Sequence, residues 1–504
     1  MKAQEINLYW HNYKFFPYEK NFAVREVESL LEPKGLQEQE DKLIIVGSKN
    51  RDNIKKLVYF SHAQIEKEIV QTLQFFFENG TGPISRKKRQ NTRYSVHGLH
   101  EYKGKFNPQV VRSLFNIYNV KESDNILDPF CGSGTTLVES AHGNVSAIGV
   151  DINPLAVFIA NSKIDALNIS AEKILEAKNF LFERYSAIKM NMTFDSADLR
   201  IQYLRAWFPE DILIDIEALR LSAYELDHSI KNIFLVIISN LLREYSFQEP
   251  SDLRIRRRFS PFPSVKLIDQ IELIINSFST NLKEFQVTFN PTKSNNKAIN
   301  CDIKFANKMK ELENDCIFDF AITSPPYATA LPYIDTQRLS LVWLNLISSK
   351  EIKNLESELI GSREFKIKSE QLKWQEDLME NRCFLPEEIF DFCLDLNAKL
   401  ESSEGFRKRA LPSLLYRYFY DMMMAFKEVY RLLKRDKYFC LIVGHNHTNI
   451  GGKRTDIDTP KFLSLAGKEA GFAIDEIIPL DAYRRYGLNS LNSVQKESLI
   501  VFKK

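Results

Sequence analysis

Two short segments of the chain carry residue types suited to chemistry on a small ligand. The first is Asp128-Pro-Phe-Cys-Gly-Ser-Gly-Thr-Thr136. Its glycines, Gly132 and Gly134, allow a tight strand-to-helix turn and close approach of a ligand to the backbone. Asp151 follows the next strand-like run, in Gly-Val-Asp-Ile-Asn-Pro. A carboxylate there can accept both ribose hydroxyls of a nucleoside. Leu137 stands where a dinucleotide fingerprint would have its third glycine. A lone Gly-x-Gly turn is common in α/β proteins, whereas the whole string with GVDINP behind it is far more specific. The second segment is Thr323-Ser-Pro-Pro-Tyr327, directly after the apolar run Phe318–Ile322. Two prolines stiffen the loop and remove two backbone donors, which leaves carbonyls as free acceptors. The Ser324 hydroxyl and a proline carbonyl can hold an amino group, and Tyr327 offers a flat face for stacking a base. Alone, such a segment reads as a Pro-Pro turn with a packed tyrosine. At the carboxyl end of a strand, where open α/β sheets bind ligands, it reads as a site.

The elements that must position these segments follow from pattern. Strand Asn125–Leu127, the glycine turn, helix Thr135–His142 and strand Ser146–Val150 make a βαβ unit, and so a parallel sheet with helices on its faces. A helix over Gln109–Tyr118 precedes it. Upstream, KLIIVGS is a short strand, Ile65–Phe77 has helical spacing, and Ser85–Arg93 is a basic exposed linker. Residues 160–290 are mainly helical. Strand-like runs return at Phe285–Phe289 and at Phe318–Tyr327. The chain closes with helix Tyr420–Leu433, strand YFCLIVGHN, helix Pro460–Ala470 and strands near Ala473–Ile478 and Glu497–Phe502.

Other residues bound the function. The 504 residues carry 68 basic and 66 acidic side chains, a net charge of +2, so any polyanion must be met by a local cluster. The best cluster is Arg254, Arg256, Arg257 and Arg258, close to Phe259 and Phe262. Arginines hold phosphates and aromatics stack on bases, although a solvated loop or helix end has the same composition. The Arg86–Arg89 and Arg407–Arg409 runs are weaker candidates. Six cysteines form no C-x-x-C pair, which fits free thiols in a reducing compartment. No secretory leader and no membrane span is expected, and the location implied is cytoplasmic. His445 and His447 in Gly-His-Asn-His suit a strand-end turn, and no metal is expected. Cys131 suits a small residue in a turn better than a nucleophile.

Taken together, DPFCGSGTT and TSPPY resemble the DNA amino-methyltransferases, the N4-cytosine and N6-adenine group. The segment His97–Val111, HGLHEYKGKFNPQVV, is similar to that family's stretch ahead of the glycine loop. The resemblance covers about 95–160 and 300–345 well, and 415–504 more loosely. It implies a Rossmann-like S-adenosylmethionine-dependent methyltransferase sheet with large helical insertions and a small N-terminal domain. The implied division is 1–90 as N-terminal unit and linker, with 91–165, 296–347 and 411–504 as catalytic domain. Residues 166–295 would be a helical insertion that recognises the DNA target, and 348–410 a second one. S-adenosylmethionine would be held by Asp128, Phe130, Cys131, Gly132, Gly134 and Thr135, with Asp151 on the ribose. Asp302 would face the adenine, and Lys105 and Phe106 the methionine end. Ser324, Pro325, Pro326 and Tyr327 would hold a base flipped out of double-stranded DNA, and Arg254–Arg258 would bind that DNA. Serine at the head of the tetrapeptide favours cytosine N4 over adenine N6. A guanine-N2 methyltransferase of tRNA or rRNA and an inactive nucleic-acid binder are the alternatives. A cognate restriction endonuclease is a possible partner, and the oligomeric state stays open. The long insert between Asp151 and Asp302 departs from the family pattern.

Overall fold

The computed structural model describes residues 5–79, 90–102, 104–289, 293–328, 333–401, 403–481 and 496–504. The chain opens with β1 (Glu5–Trp10), α1 (Pro17–Leu31), β2 (Gly35–Glu38), β3 (Lys42–Val46), β4 (Phe60–Ile65), β5 (Glu68–Gln71) and α2 (Leu73–Asn79). These strands form an antiparallel sheet in the order β2-β3-β1-β4-β5. The helix expected over Ile65–Phe77 is instead a hairpin and a short helix. Glu66 takes a left-handed φ of 53° and lets Ile65 pair with Glu68, so strand pairing overrides the local helical spacing. The basic run at 85–89 lies outside the described residues.

The second part begins with α3 (Pro108–Ile117), β6 (Asn125–Asp128), α4 (Thr135–His142), β7 (Ser146–Asp151) and α5 (Pro154–Leu167). Helices α6 (Ala171–Met190), α7 (Leu199–Arg205), α8 (Glu210–Tyr224), α9 (His228–Leu241) and α10 (Leu267–Phe289) follow. The strand expected at Phe285–Phe289 is the last turn of α10. Phe278, Leu282 and Phe285 share one buried helical face, and Phe289 stacks 4.6 Å from the Phe77 ring, while Val287 stays 74% exposed. Its β-branched and aromatic composition mimicked a strand, but its period is helical.

The chain then returns to the sheet with β8 (Lys297–Asn300), which the sequence pattern did not reveal, and β9 (Phe318–Thr323). Next come α11 (Tyr333–Trp343), α12 (Ile352–Glu358), α13 (Lys368–Met379), α14 (Glu387–Ala398) and α15 (Phe406–Leu432). Helix α15 starts well before the expected Tyr420 and carries Pro412 inside it, so it crosses the boundary drawn at residue 410. The chain ends with β10 (Leu433–Gly444), β11 (Asn446–Ile450), β12 (Lys453–Ile457), α16 (Thr459–Glu469), β13 (Ala473–Asp481) and β14 (Lys496–Lys503).

Seven strands form the central sheet in the order β13-β14-β10-β9-β6-β7-β8. The run from β10 to β8 is parallel, and β14 is antiparallel to both its neighbours. This is a Rossmann-like sheet with one reversed strand. Side chains alternate between two buried layers, as a period of two demands: Ile126 packs on one face and Leu127 on the other. The first layer runs without a break into the N-terminal unit, through Phe22 and Val27 of α1 and Val110 and Val111 of α3. The second is covered by α14, α15 and α16. The order reverses between β6 and β9, so both chemical loops leave neighbouring strands at one sheet edge of ligand-binding type.

Candidate active site

Asp128, the last residue of β6, ties the two motif loops together. Its carboxylate accepts hydrogen bonds from Thr136 Oγ1 at 2.6 Å and from Thr323 Oγ1 at 2.7 Å, and from the Phe130 N–H at 3.2 Å. Burial raises its carboxyl to about 6 despite those donors. The side chain therefore acts first on the protein, holding the glycine loop against the catalytic strand.

The glycine loop needs its glycines. Gly132 has φ +49° and Gly134 φ +80°. A Cβ on Gly134 would stand 2.7 Å from the Ala160 Cβ, and one on Gly132 would meet the Tyr102 ring at 3.4 Å. Cys131 is packed beneath the loop so tightly that a Cβ on Gly149 would meet it at 2.6 Å. Burial pushes the Cys131 thiol well above its usual range, which suits packing and not nucleophilic attack. Lys163 of α5, fully buried, donates to the Ser133 carbonyl at 2.8 Å and pins the loop from below.

Asp151 ends β7 beside this loop. Its oxygens accept from Gly132 N at 2.9 Å and Asn153 N at 2.8 Å. Each oxygen keeps a second lone pair for a ligand hydroxyl. Burial raises this carboxyl to about 6 as well.

A cleft of about 160 Å³ brings the two motifs together, with Phe130, Gly132, Asp151, Asp302 and Ser324–Tyr327 all on its walls. Asp302 caps the turn after β8, accepts from Lys304 N at 3.0 Å and stays 17% exposed. A smaller hollow adjoins, lined by Lys105, Phe106, Asp128, Cys131, Gly132, Thr135 and Ser324. The Lys105 amine donates to the carbonyls of Thr92 at 2.6 Å and His97 at 3.4 Å. Burial lowers it to about 8. Such a cleft can take an adenosyl group, with a carboxylate at the ribose, a glycine floor and apolar walls from Phe130, Ile152 and Ile303.

One expectation about the catalytic loop needs correction. The two proline carbonyls are not both free, because the Tyr418 hydroxyl of α15 donates to Pro326 O at 3.0 Å. The Tyr327 hydroxyl donates to Glu497 Oε1 at 3.3 Å, which anchors its ring from β14. The loop is thus braced from two elements far apart in sequence.

Several residues of the cleft escaped sequence reasoning. Tyr102 and Asn153 lie beside quoted motif residues without a motif role of their own. Glu356, Leu359, Ile360 and Ser362 come from the insertion containing α12. Glu356 is half-buried, and burial raises its carboxyl, helped by Asp335 and Glu364. No local pattern marks these positions; only packing brings them in.

The arginine cluster splits. Arg257 donates to the Ala206 carbonyl at 2.8 Å and stacks 4.5 Å from the Trp207 ring. Arg258 donates to Ser246 O at 2.7 Å and Pro261 O at 2.8 Å and stacks 4.5 Å from Phe262. Arg254 and Arg256 remain exposed, Arg256 within 3.2 Å of Asp252.

Of the histidines, His445 Nδ1 stands 3.6 Å from Asp458, and His447 sits in β11 opposite Asp456. Among the described residues a different group, His97, Glu139 and His142, brings ligand-type atoms within 4.8 Å. The Arg112 guanidinium already donates to Glu139 at 2.9 Å and the Tyr94 hydroxyl donates to the same carboxylate at 2.8 Å, so the place of a cation is filled by a side chain. No described helix is long and apolar enough to cross a membrane.

Residues 4–162, from β1 into α5, match a family model described as a DNA methylase. The Type II methyltransferase M.MvaI of Kocuria varians is 25% identical over 393 residues, 73% of this chain and 80% of the relative. M.BsoBI of Geobacillus stearothermophilus is 26% identical over 422 residues, 74% and 80% of the two chains. A shorter likeness, 42% over 52 residues, links 10% of this chain to 16% of the tRNA (guanine(10)-N2)-dimethyltransferase of Methanothermobacter thermautotrophicus. With the glycine loop, the strand-end carboxylate and the Ser-Pro-Pro-Tyr loop in one cleft, the chain resembles the S-adenosylmethionine-dependent DNA amino-methyltransferases.

Proposed function

We propose that the chain methylates the exocyclic N4 of cytosine in double-stranded DNA, in a cytoplasmic restriction-modification system. The observation that carries this reading is the position of Ser324-Pro-Pro-Tyr327 at the carboxyl end of β9, on the same cleft as Gly132 and Asp151. When bound, S-adenosylmethionine supplies a methyl group already activated by its sulfonium, so the protein's task is positioning more than acid–base catalysis. An amino group delivered to the cleft meets the Ser324 hydroxyl and the Pro325 carbonyl as acceptors. They hold its hydrogens and stabilise positive charge developing on nitrogen. Tyr327, tethered to Glu497, stacks on the base. A base amino group inside a duplex cannot reach this cleft, so the target nucleotide flips out. Asp151 holds the ribose, Asp302 the adenine side, and Lys105 with Phe106 the methionine side. Arg254 and Arg256 bind the DNA backbone, and the helices of 166–295 carry target recognition. The serine supports cytosine, because its hydroxyl heads the tetrapeptide where an aspartate or asparagine would favour adenine.

The short likeness to a tRNA guanine-N2 enzyme keeps RNA as a second reading, against which the serine also weighs. Incubation with labelled S-adenosylmethionine and either duplex DNA or total tRNA, then mass spectrometry of the nucleosides, separates the readings. N4-methylcytosine in DNA is the expected product. N6-methyladenine would overturn the base, and label confined to RNA would overturn the substrate.

A further inference from the structure

We propose that Ile255 is the side chain that enters the base stack as the target nucleotide leaves it, with Arg254 and Arg256 on the flanking phosphates. The proposal rests on the flipping of a duplex base described above.

The segment between α9 and α10 is a built protrusion. Residues 247–249 pair with 256–258 through Glu249 N to Arg256 O at 2.9 Å and Arg258 N to Phe247 O at 2.8 Å. The intervening residues form the tip. The Glu249 carboxylate accepts from Ser251 Oγ at 2.6 Å within that tip, and from Phe259 N and Ser260 N on the return side. The Arg243 guanidinium donates to the carbonyls of Glu249 and Asp252. Arg257 and Arg258 are spent on the same bracing. So much cross-linking leaves little conformational entropy to lose on docking.

The loop is anchored on α11, whose Ile334 lines the cleft. Gln248 Nε2 donates to the Asp335 carbonyl at 2.9 Å, and the Ile255 N–H bonds the Asp335 carboxylate. The preceding residue, Ile334, lines the cleft together with Ser324–Tyr327. Ile255 is therefore held against α11, at the residue that follows the cleft-lining Ile334. Ile255 is 43% exposed as a residue, between the exposed Arg254 and an Arg256 side chain 63% exposed. A stiff apolar group on a rigid loop, flanked by cations, matches a duplex with a gap in its stack. The arginines hold phosphates while the isoleucine covers the unstacked neighbours. Covering them offsets part of the cost of flipping.

The test uses the full-length protein after the modified site has been mapped by sequencing. Two duplexes are compared: one normally paired, one with an abasic site opposite the target base, which needs little help to flip. Ile255→Ala is expected to slow methyl transfer roughly tenfold on the paired duplex and to stay within about twofold of wild type on the abasic one. Ile255→Leu should restore the paired rate, and S-adenosylmethionine affinity by calorimetry should be unchanged in both. Equal slowing on both duplexes, or none on the paired one, overturns the wedge. Wild-type protein that labels RNA and no DNA sinks the DNA reading and the wedge together; a labelled duplex indifferent to Ile255→Ala sinks the wedge alone.

Discussion

At the scale of single residues, two titrations frame cofactor binding. Burial raises the Asp151 carboxyl to about 6 and lowers the Lys105 amine to about 8. In the proposed roles, between those values the first is a charged acceptor for ribose hydroxyls and the second a charged partner for a carboxylate. Affinity for S-adenosylmethionine, measured by calorimetry, is therefore expected to be highest between about pH 6 and pH 8 and to fall on both sides. Asp151→Asn should abolish the acid arm and weaken binding roughly tenfold at neutral pH; a profile unchanged below pH 6 would remove Asp151 from the site. Gly134→Ala forces a φ of +80° on a residue with a Cβ, 2.7 Å from that of Ala160. The left-handed backbone alone costs about 1–2 kcal/mol. A lower melting temperature and weaker cofactor binding are expected together. The residues behind both predictions were readable as motifs, because the ligand demands particular types at fixed local spacing. Tyr102, Asn153 and Glu356 were not, since nothing local distinguishes a residue that lines the cleft from one that does not.

At the scale of elements, the N-terminal sheet is held to the catalytic part by polar groups buried between α1 and α3. Glu26 accepts from Asn116 Nδ2 at 3.0 Å and from Val58 N at 3.2 Å. Burial raises its carboxyl to about 7, above its ordinary 4.5. A carboxyl raised by folding contributes stability that is complete below its unfolded value and is lost as pH rises through its folded value. The protein should thus lose stability between about pH 5 and pH 8, and Glu26→Gln should flatten that slope in melts at a series of pH values. A slope unaffected by the substitution would assign it to other groups. Elements were most legible where amphipathic period and loop chemistry agreed, as in α4 and β7. They misled at Phe285–Phe289 and Ile65–Phe77, where composition pointed one way and the available partner strand or helix face another. Helix α15 was under-read because Pro412 lies inside it.

At the scale of the whole molecule, a net charge of +2 means that DNA affinity must come from local charge. Arg254, Arg256 and Arg257 are all exposed, but the Arg257 guanidinium is tied to the Ala206 carbonyl and that of Arg258 to the Ser246 carbonyl. Replacing either of the first two by alanine should lower the salt dependence of DNA binding by about one unit of slope and leave the fold intact. Replacing Arg258, which bonds the backbone carbonyls of Glu244, Ser246 and Pro261, should instead loosen the loop. Titrating binding against salt, with melting as the control, distinguishes the two classes; identical slopes for all three variants would contradict the division.

Local sequence determined the chemistry on offer: a glycine turn with positive φ, a carboxylate at a strand end and a serine ahead of two prolines. These depend on backbone freedom and functional groups within a few residues. Tertiary structure alone decided that Asp128 ties the two loops through Thr136 and Thr323, that Tyr418 takes one proline carbonyl, and that the arginine loop is pinned beside Ile334. Apart from the Asp128–Thr136 bond, each of these joins residues scores of positions apart, and only the packing of the sheet and its insertions sets such distances.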